Sequence, residues 1–140
     1  MTLRLVVTGS RKFTNKRLVR EWIFEAIDEW KATSEEARYS YIDMVSNLEW
    51  VTLIHGKARG FDSLAASVAE QCKMTVYGIG AEWGRLDSST AGRTRNVSLI
   101  LEGKPNFGLV GPGEYGTGHM TGLLRNLGIP FLYKGDQPIS

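Results

Sequence analysis

Short apolar runs alternate along this chain with longer stretches of helical periodicity. Leu3–Thr8 (LRLVVT) is rich in branched residues and stops at Gly9, as a strand buried on both faces does. Leu18, Val19, Trp22, Ile23, Ala26, Ile27 and Trp30 then recur with a period near 3.6. They form one apolar stripe of a helix that Thr14 or Asn15 can cap. Thr33 and Glu36 have capping-box spacing. Ala37, Tyr41, Met44, Val45 and Leu48 make a second stripe, so 16–48 reads as two helices or one bent one, the later part (34–48) an added element. Val51–His55 is strand-like, and 61–72 is an alanine-rich helix turning Leu64, Ala65, Val68 and Ala69 inward. Residues 74–79 read as a third strand and the Gly/Ser/Thr-rich stretch 80–92 as a long loop. A helix over 94–102, a strand at Phe107–Val110, a helix over 117–127 and a last strand at 129–133 follow. The tail from Lys134 is expected to fray.

Strands alternating with helices predict an α/β fold. The expected architecture is one domain with an open, mostly parallel sheet of about five strands and helices on both faces. Right-handed crossovers place every strand's C-terminal end on one edge of such a sheet. Ligands bind at that edge, where the strand order reverses.

Composition narrows the class only a little. The 140 residues are 42% hydrophobic and 23% charged, ordinary for a soluble domain. No apolar run reaches the roughly 18 residues of a membrane span, and the N-terminus lacks a signal-peptide pattern. Cys72 is the only cysteine, which excludes an internal disulfide and points to a reducing, cytoplasmic setting. It reads as a small core residue near a helix end. The net charge of +2 is unevenly spread: residues 1–20 carry six cations (Arg4, Arg11, Lys12, Lys16, Arg17, Arg20) and no acid. Those cations could serve a ligand phosphate, a solvated helix face or nucleic acid. No base-reading motif accompanies them, so nucleic acid is the least favoured partner.

Three glycine-bearing turns follow strands and precede helices, and these carry the candidate chemistry. Gly111, Gly113 and Gly116 in GPGEYGTG satisfy the G-x-G-x-x-G pattern in its strand-to-helix context, and Thr117 adds a hydroxyl at the helix start. A standard nicotinamide site is excluded. Too little chain follows for a second half, and the next strand ends Phe131-Leu132-Tyr133 with no acid. Gly56 and Gly60 flank Arg59, which can grip a phosphate with two hydrogen bonds. Asp62 is placed to cap a helix or to hold a ribose hydroxyl, His55 reads as a packing histidine, and Lys57 could point either way. Gly9, Ser10 and Arg11 lie at the end of the first strand. Arg93, Arg95 and Asn96 read as a helix start, where the dipole disfavours cations unless an anion or an acid such as Glu82 or Asp87 joins them. Trp83 could stack on a base or close the core. A ligand carrying phosphates is therefore expected, with no metal and no other cofactor.

The ordered motifs GSRKF, HGKARGFDSLA, AEW…AGRTRN, GPGEYGT and GIP resemble those of the SLOG superfamily, closest to its small YspA-like, YpsA-related branch. The resemblance covers roughly residues 3–31 and 51–133. It implies a Rossmann-like fold shared with the lonely-guy phosphoribohydrolases and with nucleotide-sensing domains of bacterial defence systems. It also implies a pocket lined by Gly9, Ser10, Arg11, Gly56, Arg59, Gly60, Asp62, Arg93, Arg95, Asn96, Gly113, Gly116 and Thr117. Two departures matter. Lys57 replaces a glycine of the usual His-Gly-Gly. In the phosphoribohydrolase pattern Pro-Gly-Gly-x-Gly-Thr-x-x-Glu, Glu114 replaces the second glycine and Met120 the glutamate that acts in N-glycosidic cleavage. A thioether cannot move a proton.

Two functions are therefore expected from the residues together with what the resemblance implies. The first is binding of a nucleotide or ADP-ribose-like ligand, as a sensor or a sequestering protein. The second is a phosphoribohydrolase-like N-glycosidase or other nucleotide-processing hydrolase, for which Glu114, Asp62 and His119 are the available acids and bases. A homodimer is expected from the resemblance, with the 39–44 region and Trp50 as the candidate surface.

Overall fold

In a computed structural model, which describes residues 2–34, 47–81 and 88–139, five strands form a single parallel sheet. They are β1 (Leu3–Thr8), β2 (Val51–His55), β3 (Thr75–Gly78), β4 (Phe107–Val110) and β5 (Phe131–Tyr133). Four described helices alternate with them: α1 (Lys16–Thr33), α2 (Phe61–Gln71), α3 (Ser88–Gly103) and α4 (Tyr115–Asn126). The spatial order is β3-β2-β1-β4-β5. The chain thus builds outward from β1 to one side, then returns to build β4 and β5 on the other. This is a Rossmann-like arrangement whose order reverses between β1 and β4.

The period-two alternation of the strands sorts the core into two layers. Leu3, Leu5, Val7, Val51, Leu53, Phe107 and Leu109 face α1 and α2, where Val19, Trp22, Ile23, Ala26, Ile27 and Trp30 complete the larger cluster. Val6, Ile54 and Val110 face the other way, toward Leu99 of α3 and Met120 and Leu124 of α4. Asn15 caps α1 by accepting from the Leu18 amide at 3.1 Å.

Several sequence expectations need correction. The stretch 80–92 is not all loop, because α3 begins at Ser88. Its Ser/Thr/Gly-rich first turns have poor helix propensity, and tertiary packing overrides that: Ala91 is buried. Arg93 and Arg95 consequently sit beyond the first turn, and the dipole conflict argued for them does not arise. The helix α4 starts at Tyr115, two residues early, and β5 starts at Phe131, two residues late. Thr33 ends α1 and donates its hydroxyl to the Glu29 carbonyl at 2.8 Å, while its capping-box partner Glu36 lies outside the described residues. Trp50 is core, stacked on Trp30 with centroids 5.7 Å apart, and is not free to form a surface. Lys134 does not fray. Its amide donates to Val110 at 2.7 Å, and its ammonium pairs with Glu25 of α1 at 2.9 Å. Cys72 packs partly buried against the core at the end of α2, with Arg20 donating to its sulfur. The second stripe up to Val45, Glu36, Glu82, Trp83 and Asp87 lie outside the described residues.

Candidate functional site

The strand reversal opens a crevice because the turns after β1 and β4 lead to opposite faces of the sheet, one to α1 and the other to α4. The turn after β2 joins them there, and one side chain organises all three. Phe61, fully buried, opens α2, and a β-carbon at either Gly9 or Gly111 would overlap its ring. Phe13 and Trp22 pack around the same ring, with centroids 5.4 Å and 6.2 Å from it. Main-chain bonds lock the turns to one another. Ser10 donates to Pro112 at 2.6 Å, Gly111 to Thr8 at 2.8 Å, and Phe61 to Ser10 at 3.0 Å. Gly60 adopts φ +72°, and a side chain there would strike the Ser10–Arg11 backbone. Only glycine suits both demands.

Above this floor lies a cleft of about 660 Å³, within the range of small-molecule sites. Of the residues singled out from the sequence, Gly9, Ser10, Arg11, Arg59, Asp62, Arg93, Arg95, Gly116 and Thr117 line it, together with Glu114. Lys12, one of the N-terminal cations, also lines it; Thr8, Ala58, Gly92 and Tyr115 line it too and were missed. Thr8 ends β1 and Tyr115 sits inside the glycine-rich run, so position alone could have found both. Gly56, Gly60 and Asn96 support the walls from behind. Gly111 and Gly113 face a separate cavity of about 270 Å³ on the far side of the same loop.

The cleft is strongly cationic, with Arg11, Lys12, Arg59, Arg93 and Arg95 against Asp62 and Glu114. Arg59 makes no ion pair with a described residue. Lys12 and Glu114 are both highly exposed and approach only to 4.0 Å, a contact of little energetic weight. Arg95 donates to the Gly56 carbonyl at 3.0 Å and to Asn96 Oδ1 at 3.1 Å. A β-carbon at Gly56 would collide with its side chain. Burial lowers the Arg95 pKa, Asp62 opposes that shift, and Arg11 adds to it.

Asp62 neither caps its own helix nor stands free. Its Oδ2 accepts from the Gly56 amide at 2.8 Å and from Ala58 at 3.4 Å, so it ties the β2–α2 turn together. Burial pushes its pKa up to about 6, against the Gly56 hydrogen bond, the Arg95 charge and the Ala58 hydrogen bond. His55 is the packing residue expected: its Nδ1 accepts from the Lys57 amide at 3.1 Å. Burial and the Lys57 charge lower its pKa, with Glu70 opposing.

Two helices point N-termini at this edge without a side-chain cap, α2 behind Gly60 and α4 behind Glu114. Their leading N–H groups carry the positive end of the dipole. Thr117, in the first turn of α4, brings its hydroxyl to 3.5 Å from that of Thr8. Asn96 bridges α3 to α4, donating to the Gly116 carbonyl and meeting His119 Nδ1, each at 3.1 Å. His119 stays outside the cleft, and burial and Arg93 lower its pKa. Met120 is fully buried in the core. The remaining N-terminal cations diverge. Arg4 donates to the Gly103 carbonyl at 2.6 Å, near the opposite end of the sheet, and Lys16 donates to Ser67 on α2 at 2.9 Å.

Comparison with known proteins adds a likeness without a function. The chain is 27% identical over 141 residues to the "Gene 61 protein" of Mycobacterium phage D29, an alignment spanning 96% of this chain and 98% of that protein. No protein-family profile matches the sequence, and no solved structure matches the chain. Among the described residues, no helix is long and apolar enough to cross a membrane.

Proposed function

We propose that this protein binds a nucleotide or a nucleotide-derived, ADP-ribose-like ligand by its phosphates, as a sensor or sequestering protein of the SLOG type. The observation that carries the reading is the meeting of three glycine turns and five cationic side chains around one cleft at the strand reversal. The uncapped start of α4, with Gly116 and the Thr117 hydroxyl, seats a phosphate. Arg59 and Arg93, both exposed at its walls, supply guanidinium groups for the remaining oxygens. Titration calorimetry with a panel of nucleoside mono- and diphosphates and ADP-ribose tests it. Wild type binds at least one, and Arg59→Ala and Arg93→Ala each weaken binding roughly tenfold or more. Absence of binding to the whole panel, or unchanged affinity in both variants, overturns the proposal.

One observation favours a second reading, an N-glycosidase. The Asp62 carboxyl lines the cleft and titrates near 6, where a general acid–base works well. Against it, Oδ2 is engaged with two amides, and the family's catalytic position holds core-buried Met120. Incubation with nucleoside monophosphates and NAD, followed by chromatography for free base, decides between them. Tight binding without released base retires the enzyme.

A further inference from the structure

The described wall of the cleft contains one aromatic ring, that of Tyr115. It is unlike the other rings nearby: Phe13, Trp22 and Phe61 are buried and packed on one another, whereas Tyr115 is 65% exposed. The ring projects from the first turn of α4, and the Arg93 guanidinium lies over it at 5.9 Å from α3 across the cleft. A cation over the ring face fixes the plane of the tyrosine and enriches the site for flat, polarisable partners. Next to it in α4 is Gly116, where a β-carbon would meet nothing within 4 Å. A glycine in a helix costs about 0.5–1 kcal/mol relative to alanine, and no packing demand at this position explains it. Its effect is open space beside the tyrosine. The cleft also exceeds what its phosphate seat requires. Cations and amides line it at Gly9–Lys12 and Gly116–Thr117, and Tyr115 and Arg93 line the same cleft.

We infer that Tyr115, braced by Arg93, is a stacking platform for the planar heterocycle of the ligand. The site thereby selects nucleoside phosphates over sugar phosphates and polyphosphates of equal charge. The inference rests on the phosphate-binding reading above and narrows it. Arg93 has two tasks in this arrangement, an outer charge for phosphate and a brace on one face of the ring.

Calorimetry with AMP, ribose 5-phosphate and inorganic pyrophosphate, on wild type, Tyr115→Ala and Tyr115→Phe, tests the inference. Wild type binds AMP more tightly than ribose 5-phosphate. Tyr115→Ala weakens AMP by roughly 5- to 150-fold, the span of a lost base–aromatic stack, and leaves ribose 5-phosphate and pyrophosphate unchanged. Tyr115→Phe keeps the AMP preference, because the ring and not the hydroxyl does the stacking. Tyr115 is exposed, so its variants fold, and thermal melts verify this. Equal wild-type affinity for AMP and ribose 5-phosphate overturns the platform while leaving the phosphate site standing. An alanine variant that weakens both ligands equally, or neither, has the same consequence. Failure of wild type to bind any of the three overturns the platform, and the phosphate site falls with it when the nucleoside diphosphates and ADP-ribose fail to bind as well.

Discussion

Two residues of the β2–α2 turn show how the site is set chemically and conformationally. Asp62 titrates near the ordinary carboxylate value of about 4 when unfolded, and burial raises this to about 6 in the fold. The native state therefore binds the proton more tightly than the unfolded chain. The stabilisation this brings is complete below about pH 4 and is lost as pH rises through about 6, a change on the order of 2–3 kcal/mol. Asn at this position keeps an oxygen for the Gly56 and Ala58 amides and removes the titration. Urea unfolding of Asp62→Asn between pH 4 and 7 should show that decline flattened, with stability at pH 7 at or above wild type. A variant with the wild-type slope would place the titration elsewhere. Lys57, two residues into the same turn, adopts φ +56°, a left-handed conformation that costs a residue bearing a β-carbon about 1 kcal/mol. Its side chain runs toward Gly78 and Gly80, away from the cleft. Lys57→Gly, which restores the glycine of the related pattern, should raise stability by up to about 1 kcal/mol and leave ligand affinity unchanged. Parallel melts and calorimetry measure the two effects.

At the scale of elements, α4 is the informative one. It carries Gly116, Gly118 and Gly122, and at none of them would a β-carbon meet an atom within 4 Å. Gly116 lines the main cleft and Gly118 the smaller cavity, whereas Gly122 lines neither. Alanine should therefore stabilise the fold by about 0.5–1 kcal/mol at both Gly122 and Gly116. At Gly122 binding should be untouched; at Gly116 the added methyl should weaken it. Equal binding by the two variants would remove Gly116 from the site. The glycine pattern made this helix's place beside the cleft legible in the sequence, as the branched apolar runs did for the limits of β1, β2 and β4, which stand as expected. What stayed hidden depends on contacts between distant segments. The first turns of α3 look like loop because Ser88, Ser89, Thr90 and Gly92 have weak propensity, and the burial that fixes Ala91 is tertiary. Asp62 looked like a helix cap because nothing local reveals that its carboxylate turns back to Gly56 and Ala58. Phe61 gave no hint that two remote glycines are cut away to fit its ring.

For the whole molecule, the strand reversal between β1 and β4 has an energetic consequence. The turns that line the cleft belong to two halves of the sheet, β1–β2 on one side and β4 on the other. Beyond the strand pairing, the two halves are joined at these turns by Ser10 to Pro112, Gly111 to Thr8, the Thr8–Thr117 hydroxyl contact, the exposed Lys12–Glu114 pair and the Phe61 ring seated between Gly9 and Gly111. An anion seated there would engage Arg59 from one half and the α4 N-terminus from the other, adding a link that the unfolded chain cannot make. Its stabilisation follows from mass action, about 2.7 kcal/mol at a ligand concentration one hundred times Kd. For a domain of 140 residues that corresponds to a rise in Tm on the order of 10 °C. A nucleotide that binds by calorimetry should produce this rise, with a dependence on concentration matching its Kd. Amide hydrogen exchange should slow in Gly9–Arg11 and Gly113–Thr117 together, since one ligand holds both turns. Protection confined to one of the two turns would mean that the ligand occupies a single half, and the reversal point would then not be where it binds.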